Sequence, residues 1–289
     1  MRVNYITFCD ERMPAYRYRM EMPGKYIGDY EITIYPVDAD IHVYSKPYHD
    51  DPYILANMIE TASRSPFVFD LCDDLFWRTS NVTVYIRQMM EMAEVVTTST
   101  EAMRELIFDQ TGIDSVVISD PYEFDEKPIK DISEPKYLWF GTATNLVTLK
   151  GFNEPIEIVC QMSESVKKIL DSLECDYTFT EWSLESMKAA FDRNNIAYIP
   201  SDDSRKRSVK SPNRVVESIR QGLSVITDPV PSYLQFSEWI SFDKPKQLVP
   251  EAQQYVRENF DISIIGEQWK NLFGSISGAD RELSMAGSM

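Results

Sequence analysis

The chain has 289 residues and a formal net charge of −17 at pH 7, with 43% hydrophobic and 26% charged residues. This length predicts about two globular domains, and the acidic excess argues against nucleic-acid binding, which needs an extended basic surface. No apolar run approaches the ~18 residues of a membrane span, so no transmembrane segment is expected.

Strands and helices alternate along the first part of the chain. Each predicted strand is a short apolar run, and the predicted helices carry apolar residues at three- and four-residue spacing. The predicted strands are 3–9, 30–35, 41–44, 67–72, 95–98 and 116–118, and the predicted helices are 15–27, 51–63, 79–93 and 100–110. Such an alternation is typical of a parallel sheet covered by helices on both faces.

The alternation stops at residues 123–135 (EFDEKPIKDISEP), which are charged, contain proline and lack apolar periodicity. We predict an interdomain linker at 125–135. The alternation then restarts, with strands at 137–140, 156–160, 177–180, 196–199 and 225–227 and helices at 164–173, 184–193, 211–222 and 250–259.

The predicted fold is α/β, with two doubly wound Rossmann-like domains, 1–124 and 136–262, that face each other across a cleft. An amphipathic helix at 263–275 is predicted to pack back on the N-terminal domain. The remainder, 276–289, is rich in Gly and Ser and is predicted to be a flexible tail.

A basic loop follows the predicted strand 196–199. Its five cations lie within ten residues that contain no acid, and they are Arg205, Lys206, Arg207, Lys210 and Arg214. Ser211 and Pro212 then predict a helix start, with the hydroxyl as the cap. Because a helix N-terminus favours anions and ligands bind at the carboxyl ends of parallel strands, the loop predicts an anion site; a solvated charge run is the alternative.

Several strong motifs are absent from the sequence. Neither a P-loop nor the G-x-G-x-x-G dinucleotide fingerprint occurs. His42 and His49 are the only histidines, which excludes a histidine-rich metal site. Cys9, Cys72, Cys160 and Cys175 have no metal-ligand spacing, so the sequence favours buried free thiols over disulfides.

The run from Ile196 to Tyr233 (IAYIPSDDSRKRSVKSPNRVVESIRQGLSVITDPVPSY) resembles the donor-binding region of the GT-B glycosyltransferases. It is most similar to the retaining group with two glutamates separated by seven residues. The runs LWFGTATN (138–145), EVVTTSTEAMRELI (94–107) and VISDPYE (117–123) add to the likeness, which spans about residues 90 to 275. The resemblance implies a glycosyltransferase with an N-terminal acceptor domain and a C-terminal nucleotide-sugar domain.

The resemblance also implies roles for single residues. Glu217 aligns with the second glutamate, which holds the donor ribose, whereas Val209 stands where the first glutamate is expected. Lys206 and Lys210 match the basic residues that hold the diphosphate. The remaining implied donor-binding residues are Gly141, Asn145, Ser211, Asn213 and Arg214.

The negative charge of a departing diphosphate needs to be stabilised by fixed cations. A cation at about 4 Å contributes up to ~4 kcal/mol at an effective dielectric constant near 20, so two lysines and a helix N-terminus can serve without a metal or cofactor. On the predicted helix, Val215, Val216 and Ile219 form the buried face. Glu217 is therefore expected to point the other way, toward ligand or solvent.

In the first domain we predict Asp73 as the general base for an acceptor hydroxyl, chosen from Asp70, Asp73 and Asp74 at a strand end. A second predicted group, for the acceptor, is made of Arg12, Tyr16 and Arg17. The acceptor is a glycan, a lipid or another hydroxyl compound. Solvated loop acids and surface arginines are the structural alternatives.

Two other functions fit the sequence. Asp38-Ala39-Asp40 is a D-x-D pattern, with which single-domain GT-A transferases hold a divalent metal. The missing first glutamate and the scarcity of histidine also fit a catalytically silent nucleotide-sugar binding or scaffold protein. The first 13 positions contain acidic and polar residues where a signal peptide would have its apolar core. A cytoplasmic location is therefore expected, with peripheral attachment to a membrane as the alternative.

Overall fold

The computed structural model describes residues 1–202 and 204–286, with side chains up to residue 277. The chain divides into two compact units. The first domain comprises Met1–Pro121, Val209–Ser211 and the described chain from Phe260 onward, and the second comprises Tyr122–Ser208 and Pro212–Asn259. Three residues from the middle of the basic loop are thus part of the first domain.

The first domain is built on a six-stranded parallel sheet. Its strand order is β2-β1-β3-β4-β5-β6, so the order reverses between β1 and β3. The strands are β1 (Val3–Ile6), β2 (Tyr30–Thr33), β3 (Ile41–Ser45), β4 (Phe67–Asp70), β5 (Val95–Thr98) and β6 (Val116–Val117).

The second domain is built on a five-stranded parallel sheet of order β11-β10-β7-β8-β9. Here the order reverses between β7 and β10. The strands are β7 (Tyr137–Phe140), β8 (Ile156–Cys160), β9 (Tyr177–Glu181), β10 (Ile196–Ile199) and β11 (Ser224–Thr227). Both sheets confirm the predicted parallel α/β class.

Helices connect successive strands in both domains. In chain order they are α1 (Pro14–Tyr16), a π-helical turn (Arg17–Glu21), α2 (Met22–Ile27), α3 (Pro52–Ala62), α4 (Ser80–Met92), α5 (Glu101–Thr111), α6 (Glu164–Leu170), α7 (Leu184–Arg193), α8 (Arg205–Ser208), α9 (Asn213–Arg220), α10 (Pro250–Phe260) and α11 (Ile262–Ala286). The segments Ala143–Leu149 and Pro231–Phe236 are 3-10 helices.

Two apolar cores cover the two faces of the first sheet. On one face, side chains of α3, α4 and α5 pack on the strands, as Leu55, Ile86 and Met103 do. On the other face the core includes Ile265, Trp269 and Phe273 of α11. These three residues recur at helical spacing in the sequence, so they form an apolar stripe on α11 that packs against β1 and β3.

The second sheet is packed in the same way. Trp139, Ile158 and Leu170 belong to the core on one of its faces. Val215, Val216 and Ile219 form the buried stripe of α9, as the sequence predicts. The four cysteines of the chain are free thiols; Cys9 is half-buried and the other three are buried.

The segment predicted as a linker is bound to the second domain. The backbone N–H of Lys127 donates to the carbonyl of Arg220 at 3.1 Å, and that of Lys130 donates to the carbonyl of Gly222 at 2.9 Å. Gly222 adopts a φ of 71°, and a Cβ atom there would lie 2.1 Å from the carbonyl oxygen of Pro128. Charge and proline content alone do not reveal these backbone contacts.

The C-terminal helix is longer than the sequence suggests. We predict helix over 263–275 and a flexible tail over 276–289, whereas α11 continues to Ala286. Gly and Ser in the last turns lower helix propensity without breaking an established helix. Residues 287–289 of the predicted tail lie outside the described residues.

Candidate active site

The carboxyl ends of β3 and β4 carry an ion cluster in the first domain. Lys46 directly follows β3, and its ammonium group pairs with Oδ2 of Asp73. Lys210, from the three-residue segment, lies with its Nζ 3.7 Å from Oδ1 of the same carboxylate. This cluster adjoins the point at which the strand order reverses, where open α/β sheets bind ligands.

The backbone of Lys46 is strained. Its φ of 47° is in the left-handed region, and it is the only non-glycine residue with positive φ in the described chain, residues 1–202 and 204–286. Such a conformation costs of order 1–3 kcal/mol and persists where the surroundings enforce it. The ion pair with Asp73 and the mostly buried side chain supply that enforcement.

Opposing effects act on the pKa of Asp73. Burial raises it, but the charges of Lys46 and Lys210 lower it by more, so the pKa falls below its ordinary value of 3.8. For Lys46 the opposite balance holds, since burial lowers its pKa and Asp73 raises it well above 10.5. Asp73 and Lys46 are therefore both ionised near neutral pH.

Asp70, the neighbouring carboxylate of β4, has a structural role. It is fully buried and pairs with Arg19 at 2.5 Å, while Ser45 and Thr97 donate to it at 2.7 and 2.9 Å. Arg19 lies in the π-helical turn, and its guanidinium is 5.2 Å from the ring centre of Trp269. This network ties β4 to α11 rather than facing a ligand.

The three residues predicted to bind an acceptor differ in their exposure and in their partners. Arg12 is exposed and pairs with Asp10 at 2.7 Å. Tyr16 is half-buried, and burial raises its pKa. Arg17 is buried, with its Nη1 donating to the carbonyls of Glu11 and Arg12 at 3.0 Å each, so its guanidinium holds this loop in place.

In the second domain, Gly141 follows β7 at the reversal of strand order. Its φ is 157°, and a Cβ atom there would lie 3.4 Å from Nη1 of Arg214. The same Nη1 donates to the carbonyl of Phe140 at 3.4 Å. Arg214 belongs to the first turn of α9, so this helix places a cation beside the glycine turn.

The basic loop contains the short helix α8, which the sequence does not predict. Arg207 is buried, pairs with Asp202 and donates to the carbonyl of Thr144 at 3.4 Å. Lys206 lies on the exposed face of α8. Lys206 therefore belongs to the second domain and Lys210 to the first, although only three residues separate them.

The predicted helix cap at Ser211 is wrong by one residue. Helix α9 begins at Asn213, and its N-cap is Pro212, which has no side chain that can accept a hydrogen bond. Ser211 belongs to the first domain instead. Asn145, another predicted donor residue, is buried in a 3-10 helix, where its N–H donates to the carbonyl of Thr142 at 2.9 Å.

Glu217 points inward, contrary to the prediction that it lies opposite the buried face. It is 2% exposed, and its Oε1 accepts a hydrogen bond from the backbone N–H of Glu123 at 2.5 Å. The hydrophobic pattern of α9 predicts which side of the helix its apolar residues occupy, but it does not predict the burial of its polar residues. A polar side chain can still be buried when a backbone donor reaches it.

Val209 is a core residue of the first domain. Its side chain is 3% exposed within the core that also contains Leu106 and Met103, and its carbonyl accepts from Thr100 Oγ1 at 2.8 Å. An apolar residue is therefore required at this position. This requirement explains why valine stands where the resemblance calls for glutamate.

Lys46 is a residue of the ion cluster that is not among the residues predicted from the sequence. The lysine follows a buried strand directly, and the same rule that selected Asp73 applies to it.

The position of Asp40 in the first sheet contradicts the D-x-D interpretation. Asp40 lies before β3, at the amino end of the sheet, where its Oδ2 accepts from the N–H of Arg2 at 2.8 Å.

Comparison with known proteins shows similarity at the level of structure. No protein-family model and no curated protein matches the chain. The structure of Anabaena HepE in complex with UDP and glucose matches with a TM-score of 0.68 and 13% identity, over 95% of this chain and 100% of that one. The chain has the GT-B fold.

Two further GT-B structures match this fold. AviGT4, a glycosyltransferase of avilamycin A biosynthesis, has a TM-score of 0.52 and 10% identity, over 96% of this chain and 98% of that one. A UDP-forming trehalose-phosphate synthase from Burkholderia vietnamiensis has a TM-score of 0.55 and 10% identity, over 91% and 78% of the two chains. A two-domain GT-B fold contradicts the single-domain GT-A alternative.

Among the residues that the structure describes, no helix is both long and apolar enough to cross a bilayer. In residues 1–202 and 204–286 no group of three or more His, Cys, Asp or Glu side chains is arranged to hold a metal ion.

Proposed function

We propose that the protein is a glycosyltransferase that moves a sugar from a nucleotide-diphosphate sugar to a hydroxyl acceptor without a metal. The observation that carries the proposal is a GT-B fold across nearly the whole chain, with a structural neighbour bound to UDP and glucose. Among nucleotides, UDP is therefore the first donor nucleotide to test. The subtype with two glutamates is not part of the proposal, because Val209 is a core residue.

Cations at the carboxyl edges of the sheets support the donor role. In the second domain, Arg214 lies beside the Gly141 turn and Lys206 is exposed on α8. We assign the diphosphate to these groups, to the N-terminus of α9 with Asn213, and to Lys210. A cation at about 4 Å from the leaving diphosphate contributes up to ~4 kcal/mol at an effective dielectric constant near 20.

Glu217 is assigned to the ribose of the donor, and Asn145 and Ser211 to the surrounding donor site. In the first domain, Arg12, Tyr16 and the loop held by Arg17 are assigned to the acceptor. The donor assignments follow the resemblance, whereas the acceptor assignment follows from the position of its residues after β1. The Glu217 variants in the Discussion test the ribose assignment.

Asp73 has two possible tasks in this reaction. As a general base it would need a pKa near the working pH, whereas its two lysine neighbours lower its pKa. A carboxylate ionised in this way is well suited to hold Lys210 in place. We therefore propose the positioning of Lys210 as the main role of Asp73, and proton transfer as its secondary role.

A thermal-shift titration of the full chain with UDP, GDP, ADP and the corresponding sugar nucleotides tests the donor site. A ligand at 100 times its Kd stabilises the protein by about 2.7 kcal/mol. We expect stabilisation by at least one nucleotide diphosphate, and its loss in the variants Arg214→Ala and Lys206→Ala/Lys210→Ala. Arg64→Ala, which removes an exposed cation from the turn that follows α3, is the matched control.

Release of the nucleotide diphosphate from the stabilising sugar nucleotide measures turnover. Equal rates with and without a chelator support the metal-independent reaction. If no nucleotide shifts the melting temperature, the donor site is refuted.

A second candidate is a nucleotide-sugar binding protein without turnover. The buried Val209 and the lowered pKa of Asp73 favour it, because both remove a group that would act on the sugar or the acceptor. Stabilisation by a sugar nucleotide that is never consumed, across a broad acceptor panel, would decide for this candidate.

A further inference from the structure

The loops that follow β3 and β4 bring three side chains together on the surface of the first domain. Tyr48 follows β3, and Trp77 and Arg78 follow β4. The guanidinium of Arg78 lies 5.2 Å from the ring centre of Tyr48 and 6.0 Å from that of Trp77. We name these three residues the aromatic platform.

The indole of Trp77 is exposed but held in orientation. Its side chain is 57% exposed, while its Nε1 donates to the carbonyl of Asp74 at 2.8 Å. Arg78 is held from the other side by Asp50, at 2.9 Å. A large apolar ring kept exposed in this way presents one flat face to solvent without a loss of side-chain entropy on binding.

The platform lies next to the ion cluster of the candidate site. Tyr48 lies two residues after Lys46, which pairs with Asp73, and its ring centre is 5.2 Å from the guanidinium of Arg78. The loop after β1 also reaches this region, since the ring of Phe8 is 5.5 Å from that of His49. All of these residues belong to loops at the carboxyl edge of one sheet.

We propose that the aromatic platform binds a saccharide ring of the acceptor, with the C–H face of the sugar stacked on Trp77 and its hydroxyls bonded to Arg78 and Asp50. A pyranose has one apolar C–H face and a rim of hydroxyls. An exposed indole bordered by a guanidinium and a carboxylate complements both parts. The acceptor role rests on the proposed function, whereas the binding of a saccharide does not.

Charge favours a sugar over a lipid surface as the occupant. The chain carries a net charge of −17, and Asp50 beside the platform is 71% exposed, so an anionic bilayer would be repelled. The indole N–H is already bonded to the carbonyl of Asp74, so it does not offer the polar edge with which tryptophan anchors at a membrane interface.

The test uses the full chain on an array of immobilised neutral oligosaccharides, without any nucleotide. We expect binding to at least one glycan, a loss of tenfold or more in affinity for Trp77→Ala, and partial recovery for Trp77→Phe. Phe108→Ala is the control, since it removes an aromatic ring of similar exposure (55%) from α5 of the same domain. Melting temperatures establish that each variant is folded.

Three outcomes would overturn the proposal. They are no glycan binding by the unaltered protein, equal binding by Trp77→Ala, and Trp77-dependent sedimentation with vesicles of phosphatidylcholine and phosphatidylglycerol. The glycan array contains no donor, so its result is independent of the thermal-shift titration with nucleotides. Glycan binding through Trp77 in a protein that no nucleotide stabilises would refute the transferase function but support the saccharide site.

Discussion

The ammonium group of Lys210 lies 3.7 Å from Oδ1 of Asp73, and the other oxygen of this carboxylate is paired with Lys46. Two lysines from distant parts of the sequence thus share one carboxylate. The consequence is electrostatic, because the carboxylate is held ionised and each ammonium group is held in place. Removal of Asp73 would leave two mutually repelling cations.

Asp73→Asn is therefore expected to lower the stability by about 1–3 kcal/mol at pH 7, less than for a fully buried pair since the side chains remain partly exposed. Folding lowers the pKa of Asp73 from its ordinary 3.8 against the opposing effect of burial, so this stabilisation is present above about pH 4 and is lost as the pH falls below it. Chemical denaturation at pH 7 and at pH 3 measures both values. An equal difference at the two pH values would contradict the ion-cluster account.

Val209→Glu tests whether the missing glutamate can be restored. Because Val209 is in the core of the first domain, a carboxylate there is expected to destabilise the protein by more than about 3 kcal/mol. Val209→Ala, which only removes methyl groups, should cost about 1–3 kcal/mol. Thermal unfolding compares the two, and a Val209→Glu variant as stable as the original protein would show that this segment leaves the core.

Glu217 can be tested for two roles at once. Glu217→Ala leaves the backbone N–H of Glu123 without its acceptor and should cost about 1–3 kcal/mol, whereas Glu217→Gln keeps an acceptor oxygen and should cost less. If Glu217 also holds the ribose, both variants should weaken UDP binding roughly tenfold, which corresponds to about 1.4 kcal/mol. Calorimetric titration with UDP gives the second value. Unchanged affinity in Glu217→Gln would restrict this residue to the contact with Glu123.

Gly222→Ala probes the attachment of residues 123–135 to the second domain. Gly222 has a φ of 71°, and the added methyl group would collide with the carbonyl of Pro128, so we expect a loss of about 3 kcal/mol or more. Gly151→Ala is the matched control, with a φ of 86° and open space around the new atom, for which about 1 kcal/mol is expected. Equal melting temperatures for the two variants would mean that Pro128 does not contact Gly222 in solution.

The alternation of apolar runs and helical stripes in the sequence is sufficient to predict two parallel α/β domains. Hydrophobic periodicity is a local signal, and Val215, Val216 and Ile219 show it on α9. The rule that ligands bind at the carboxyl ends of strands selects Asp73, which follows β4. Gly141, which the resemblance implies, directly follows β7.

The contacts made across the sequence could not be predicted in this way. Glu217 is buried against a backbone N–H group that lies 94 residues earlier in the chain, so its local sequence does not show the contact. Val209 is a single valine between polar residues, and no local pattern shows that it fills a core whose other residues lie more than 100 positions earlier. The left-handed backbone of Lys46 and its pairing with Asp73 are likewise not visible in the residues next to it in the sequence.

The placement of Val209, Trp269 and Phe273 in the cores of the first domain has a consequence for synthesis on the ribosome. The residues that form its six strands are translated first, yet β1 and β3 remain incompletely covered on one face until the chain beyond Phe260 has emerged. The second domain needs no residue after Asn259. The domain that is translated first is therefore the last to complete its fold, and a ribosome-bound chain that ends near residue 259 would expose the apolar strip that α11 later covers.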